Sequence, residues 1–99
     1  MSTAGFAADD AGARWTYAGA LTFAEAGPVL AAASTLPLPR DGVIVDCSGI
    51  TAFDSSAVAV LLALERRAAA EGSGIAFAGL PPRLDALATL YGVEEFLAG

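Results

Sequence analysis

The sequence predicts an α/β fold: one domain, with a mostly parallel mixed sheet of about four strands and about three or four helices packed on it. Three observations lead there. Short alternating or β-branched runs recur at residues 6–8, 13–18, 43–47 and 75–78. Longer runs with helical spacing stand between the later strands and after the last one. Gly and Pro punctuate the joints. Strands alternating with helices imply right-handed crossovers, and so short a chain leaves its helices to cover mainly one face. With 99 residues, the whole of 1–99 forms one domain that can bury a core but has little stability to spare.

The elements follow in order. Residues 1–5 read as a loose start. Phe6 to Ala8 reads as a short edge strand, turned by Asp9-Asp10-Ala11-Gly12 into a second strand over 13–18. There Trp15 and Tyr17 share one face and Arg14 and Thr16 the other, and Gly19-Ala20 leads out. Thr22-Phe23-Ala24-Glu25 fits the S/T-x-x-E capping box, so a helix begins at Thr22 and runs to about Thr35. Pro28 stands against a regular helix there. Either one helix has a distorted first turn, which is the reading preferred, or Gly27 is the cap and Pro28 the first helical residue. Leu36-Pro37-Leu38-Pro39 stops the helix, and Arg40-Asp41-Gly42 turns the chain.

Val43-Ile44-Val45-Asp46-Cys47 is the clearest strand, and its β-branched run predicts burial on both faces. Residues 48–53 read as a short loop. A helix follows from about Ser55 to Glu71, ended by Gly72-Ser73-Gly74. Ile75 to Ala78 is a further strand. Pro81-Pro82 opens a last helix whose Leu84, Leu87, Ala88 and Tyr91 fall on one stripe. Gly92 closes it, and residues 93–97 are expected to add a short turn or helix.

Composition excludes several chemistries. Net charge is -6 and the five basic residues are all Arg, so neither a nucleic-acid partner nor an anionic membrane surface is expected. The absence of His removes the Ser-His-Asp triad and the commonest metal ligand. Without Lys there is no P-loop lysine and no Schiff base. Cys47, the one cysteine, reads as a small hydrophobe at a strand end. No enzyme activity, cofactor or metal is expected. The first ten residues lack a basic and then apolar leader pattern, and the longest apolar run, from Ala57 to Leu64, falls short of the roughly 18 residues of a membrane span. The expectation is therefore a cytoplasmic protein without direct membrane insertion. A mean hydropathy of +0.61 is high for a lone domain; alanine explains part of it, and an interface covered by a partner is expected to explain the rest.

The candidate site is Asp54-Ser55-Ser56, at the carboxyl end of the sheet and at a helix N-terminus. Asp54 is a good N-cap for the amides of Ser56 or Ala57. One reading stops at the cap. The other offers the hydroxyl of Ser55 or Ser56 to a kinase or a partner, with Ser55 the possible phosphosite. Beyond it, Val58, Val60, Leu61, Leu62 and Leu64 make an apolar arc. Opposite lies a strip of Ser56, Ala59, Ala63, Arg66 and Ala70, with Arg67 beside it. That strip is either a solvent face poor in charge or a flat surface for a partner helix, with arginines to grip acidic groups. Gly72-Ser73-Gly74 precedes a strand, so it is no dinucleotide loop. Glu94 and Glu95 read as a solvated end.

The run VIVDCSGITAFDSSAVAVLLALERRA, from Val43 to Ala68, resembles the core of a STAS domain, the fold of bacterial anti-sigma-factor antagonists and sulfate-transporter tails. GIAFAGLPPRLDALATLYGV resembles the strand and helix that follow. The resemblance covers about residues 13–97 and implies a STAS-like, anti-sigma-factor-antagonist-like fold. In that family the hydroxyl residue just after the Asp is the functional one, here Ser55. Antagonists carry Gly after the two serines and Gly-Glu-Leu-Asp before the first helix, where this chain has Ala57 and Gly19-Ala20-Leu21-Thr22. Its small size, Gly19-Ala20-Leu21-Thr22-Phe23 and Leu87-Ala88-Thr89-Leu90-Tyr91-Gly92-Val93 are more similar to the small STAS subunit, the MlaB type, of phospholipid-transport ABC complexes. This resemblance implies a partner, the ABC ATPase subunit with its permease, and a place peripheral to the inner membrane through that partner. It also implies that Ser55 and its helix face the ATPase, and that the pathway maintains outer-membrane lipid asymmetry. The alternative it leaves is an antagonist switched by phosphorylation of Ser55.

Overall fold

The computed structural model describes residues 4–9 and 12–90. Their order is β1 (Gly5–Ala8), β2 (Arg14–Leu21), α1 (Phe23–Ala33), β3 (Val43–Phe53), α2 (Ser55–Ala70), β4 (Ile75–Ala78) and α3 (Pro82–Leu90). The sheet runs β1-β2-β3-β4, antiparallel between β1 and β2 and parallel across the other two pairs. This is the mixed α/β sheet the sequence predicts. Tyr91, Gly92, the expected turn or helix at 93–97, Glu94 and Glu95 lie outside the described residues, as do residues 1–3.

The β1–β2 turn is held by Asp9, whose backbone amide donates to the Arg14 carbonyl at 2.9 Å and whose Oδ1 accepts from the Ala13 amide at 3.1 Å. On β2, Trp15, Tyr17 and Leu21 are buried and Arg14, Thr16 and Ala18 face out. Phe6 of β1 meets Tyr17 edge-on, with ring centroids 4.7 Å apart. The strand does not end near Ala18. Gly19 and Ala20 belong to it, because Gly19 pairs with Ile50 and Leu21 with Phe53.

The largest correction concerns β3. Residues 48–53, expected as a loop, continue the strand to Phe53. Its register against β2 slips twice, since Thr16 pairs with Asp46 but Ala18 with Gly49, and Gly19 with Ile50 but Leu21 with Phe53. Each slip puts two β3 residues opposite one of β2, as a β-bulge does. The first slip also switches the buried parity, from Val43, Val45 and Cys47 to Ile50. Gly49 stands at that bulge, and a Cβ there would collide with the Tyr17 carbonyl oxygen. The expectation that both faces of β3 are buried is also corrected. Ile44 is 45% exposed, Ser48 is exposed, and Asp46 pairs with Arg14 at 3.1 Å on the same side. Covering both faces needs a helix layer on each, whereas β3 buries only one alternating set of side chains. Cys47 is fully buried mid-strand, not at its end, and burial, with the nearby Asp46 charge, pushes its thiol up to about 12.

The helices close the core with Val29 and Ala33 of α1, Leu61 and Leu64 of α2, and Leu84 and Ala88 of α3. Full burial of a leucine side chain contributes about 1.5–3 kcal/mol. α1 is one helix with Pro28 inside it, and Thr22 is its N-cap. Glu25 Oε1 accepts from the Thr22 backbone N–H at 2.7 Å and from its hydroxyl at 2.6 Å. The first turn is tight, with the Glu25 and Ala26 amides both donating to the Thr22 carbonyl. α2 ends in a Schellman pattern: the Ser73 amide donates to the Ala68 carbonyl at 2.8 Å, Gly72 to Ala69 at 3.2 Å, and Gly72 takes φ +70°. No helix among the described residues is long and apolar enough to cross a membrane.

Candidate functional site: the paired helix starts and the outer face of α2

β3 ends at Phe53 and delivers Asp54 to the carboxyl edge of the sheet, where α2 begins. Asp54 is extended, as an N-cap must be, and its Oδ1 accepts from the Ser56 amide at 2.8 Å. Its Oδ2 accepts from the Phe23 amide, the first of α1, at 3.1 Å. One carboxylate thus serves two helix N-termini. The Phe23 and Ser56 amides hold the Asp54 carboxyl below its usual range. Glu25, held low by the Thr22 hydroxyl and amide, adds a second anion to the same region. With each of its oxygens accepting from a backbone amide, Asp54 is placed as an anchor rather than as a proton acceptor.

The outer face of α2 is set by helical arithmetic. Ser55, Ala59, Leu62, Arg66 and Ala69 follow at spacings of four and three and so share one strip. Ser55, Ala59, Arg66, Ala69 and Ala70 are exposed, and Leu62 is half-buried. Ser55, Val58, Ala59 and Leu62 line a shallow depression of about 220 Å³. Asp54, Ser55, Ala59 and Arg66 therefore lie on or beside one surface, with Ser56 and Ala63 half-buried at its flank.

Arg67 is not brought to that surface. Its guanidinium donates to the carbonyls of Ala33 and Leu36, each at 2.7 Å, and pairs with Glu71 Oε2 at 2.8 Å. It donates to the last carbonyl of α1, at Ala33, and to that of Leu36 just beyond the helix, where a cation also suits the helix dipole.

Three residues of this surface escaped the sequence. Leu62 was expected in the buried arc, and its spacing from Ser55 and Ala59 is the signal that places it outside. Phe23 is 81% exposed beside Asp54. The available signal was its place directly after the cap, where Leu21 and Ala26 occupy the positions of a hydrophobic staple. Glu65, on the flank of the strip, carries an Oε1 that is buried and unpartnered among the described residues, which no sequence pattern announces.

A family model described as "Mlab, STAS domain" matches residues 4–98. STAS domains are generally non-catalytic modules that bind and regulate partners. No curated protein matches the chain. Four strands in a mixed sheet, helices set between the parallel strands, and a match over nearly the whole length agree, and the chain belongs to the STAS-domain family, in its MlaB type.

Proposed function

We propose that the protein is a non-catalytic regulatory and assembly subunit that binds the ABC ATPase of a phospholipid transporter, serving outer-membrane lipid asymmetry. The outer face of α2 carries this reading. It is a strip of small and apolar side chains, Ala59, Leu62 and Ala69, with a polar end at Ser55 and a cation at Arg66. Small residues let a partner helix approach closely, and a planar guanidinium fits a partner carboxylate. The MlaB-type family match supports the choice of partner. On this reading the protein is cytoplasmic and reaches the inner membrane through the ATPase and its permease. Capture of the tagged protein from native membranes, with mass spectrometry of what is bound, tests it. The ATPase and permease are expected together.

A second reading rests on the exposure of Ser55 at a helix start, whose N-terminal dipole favours a phosphate while the adjacent Asp54 carboxylate, which already takes the Ser56 amide, repels it. The chain would then be an anti-sigma-factor antagonist switched by phosphorylation of Ser55. Capture of a serine kinase, with phosphate on Ser55, selects it over the transporter reading.

A further inference from the structure

Glu65 lies on α2 between the inward Leu64 and the outward Arg66. Its side chain is half-buried, and its Oε1 is shut off from solvent with no hydrogen-bond partner among the described residues. Neither ion pair of the described residues, Arg14–Asp46 or Arg67–Glu71, includes it. Leu62, Glu65, Arg66 and Ala69 line a shallow depression of about 250 Å³. Desolvation raises the Glu65 carboxyl above its usual range, so the free chain holds a charge at a cost. A methionine of similar volume would suit the free chain better, because an acceptor taken from water without a donor is a net loss.

We infer that Glu65 is an acceptor waiting for the docking partner: the ATPase subunit seats a basic side chain, an arginine or lysine, in the depression of Leu62, Glu65, Arg66 and Ala69, and the Glu65 carboxylate turns out of its shut-off position to accept from it. This rests on the docking reading above and names the chemistry of the contact. Leu62 supports the aliphatic stem of such a side chain, as long cations bury their stems and keep their heads polar. Arg66 lines the same depression and is exposed, so the docked arrangement requires it to turn outward from the incoming cation. The sign of the protein agrees, since a chain of net charge -6 favours a basic partner face.

The test measures two quantities for the full chain: the melting temperature of the free protein, and by calorimetry its affinity for the purified ATPase subunit of the same organism's phospholipid transporter. Glu65→Met is expected to raise the melting temperature and lower affinity by about tenfold or more, the loss of a charge-assisted contact. Glu65→Gln keeps an acceptor oxygen without the charge, and its affinity should fall between the two. A purely structural role moves stability and affinity in the same direction. If Glu65→Met binds like wild type while Ser55→Arg loses binding, the inference is overturned and the docking reading stands. If wild type does not bind the ATPase, or if neither Glu65→Met nor Ser55→Arg changes binding, both fall.

Discussion

The carboxylate of Asp54 accepts the backbone N–H of Phe23, the first residue of α1, at 3.1 Å. Its other oxygen takes the Ser56 amide of α2. The last β2–β3 pair, Leu21 with Phe53, brings the two helix starts side by side, and Asp54 ties them there. Asp54→Ala should therefore lower the melting temperature and speed hydrogen exchange at both the Phe23 and Ser56 amides. Asp54→Asn should lose less, because Asn caps about as well as Asp. Faster exchange at Ser56 alone would leave Asp54 an ordinary cap with no hold on α1.

Gly49 marks the first bulge of β3, where the backbone passes against Tyr17 too closely for any Cβ. Gly49→Ala must push the two strands apart in the middle of the sheet. The expected loss is about 2–3 kcal/mol, which for a domain this size lowers the melting temperature by roughly 10 °C or more. A shift of only about 2 °C would mean that the bulge relaxes freely.

Adjacent arginines should behave oppositely. Arg67→Ala removes the donors to Ala33 and Leu36, so it should lower the melting temperature by several degrees. Arg66→Ala changes an exposed side chain of the docking face. It should leave the melting temperature unchanged within about 2 °C and weaken ATPase binding. Thermal melts of both variants, with binding measured on each, separate the two roles.

Stability should depend on pH through two opposing sets of carboxyls. Glu25, Asp46 and Asp54 are held below their usual values, chiefly by bonds from Thr22, Ser48 and Phe23 respectively. The folded state therefore favours their charged forms. That contribution is present above the ordinary carboxyl range, about pH 4, and is lost as pH falls through the lower folded values. Glu65 has the opposite sign. Its raised value favours the protonated form on folding, a contribution complete below about pH 4 and lost as pH rises through the folded value. Glu65→Gln should then raise the melting temperature at pH 7 more than at pH 4. An equal gain at both would show that Glu65 does not titrate differently on folding.

The strand and helix order was legible because each element carries its own period and punctuation. The alternation at Trp15 and Tyr17, the capping box at Thr22 and Glu25, and the glycine after α2 are local signals that the tertiary structure does not override. The second half of β3 was not legible. Ser48, Gly49 and Thr51 look like loop residues, and only the pairing of Gly49, Ile50 and Phe53 with Ala18, Gly19 and Leu21 of β2 makes the stretch a strand. The burial of β3 on one face is likewise non-local, since it depends on where the helices go. At the site, Asp54 was read as a cap from its neighbours, while its bond to Phe23 joins residues 31 apart in the chain and leaves no trace in spacing. Arg66 and Arg67 are indistinguishable by type, and the packing of α1 against α2 separates them.

The most direct test of the docking account is calorimetric titration of the purified ATPase subunit with the wild-type protein and with Ser55→Arg. Ser55 is exposed at the end of the strip, so an arginine there leaves the fold intact and obstructs the small-residue seat. The account predicts saturable binding by wild type and a loss of about a hundredfold in Ser55→Arg at an unchanged melting temperature. Equal binding by both proteins would contradict it and move the partner's contact away from α2.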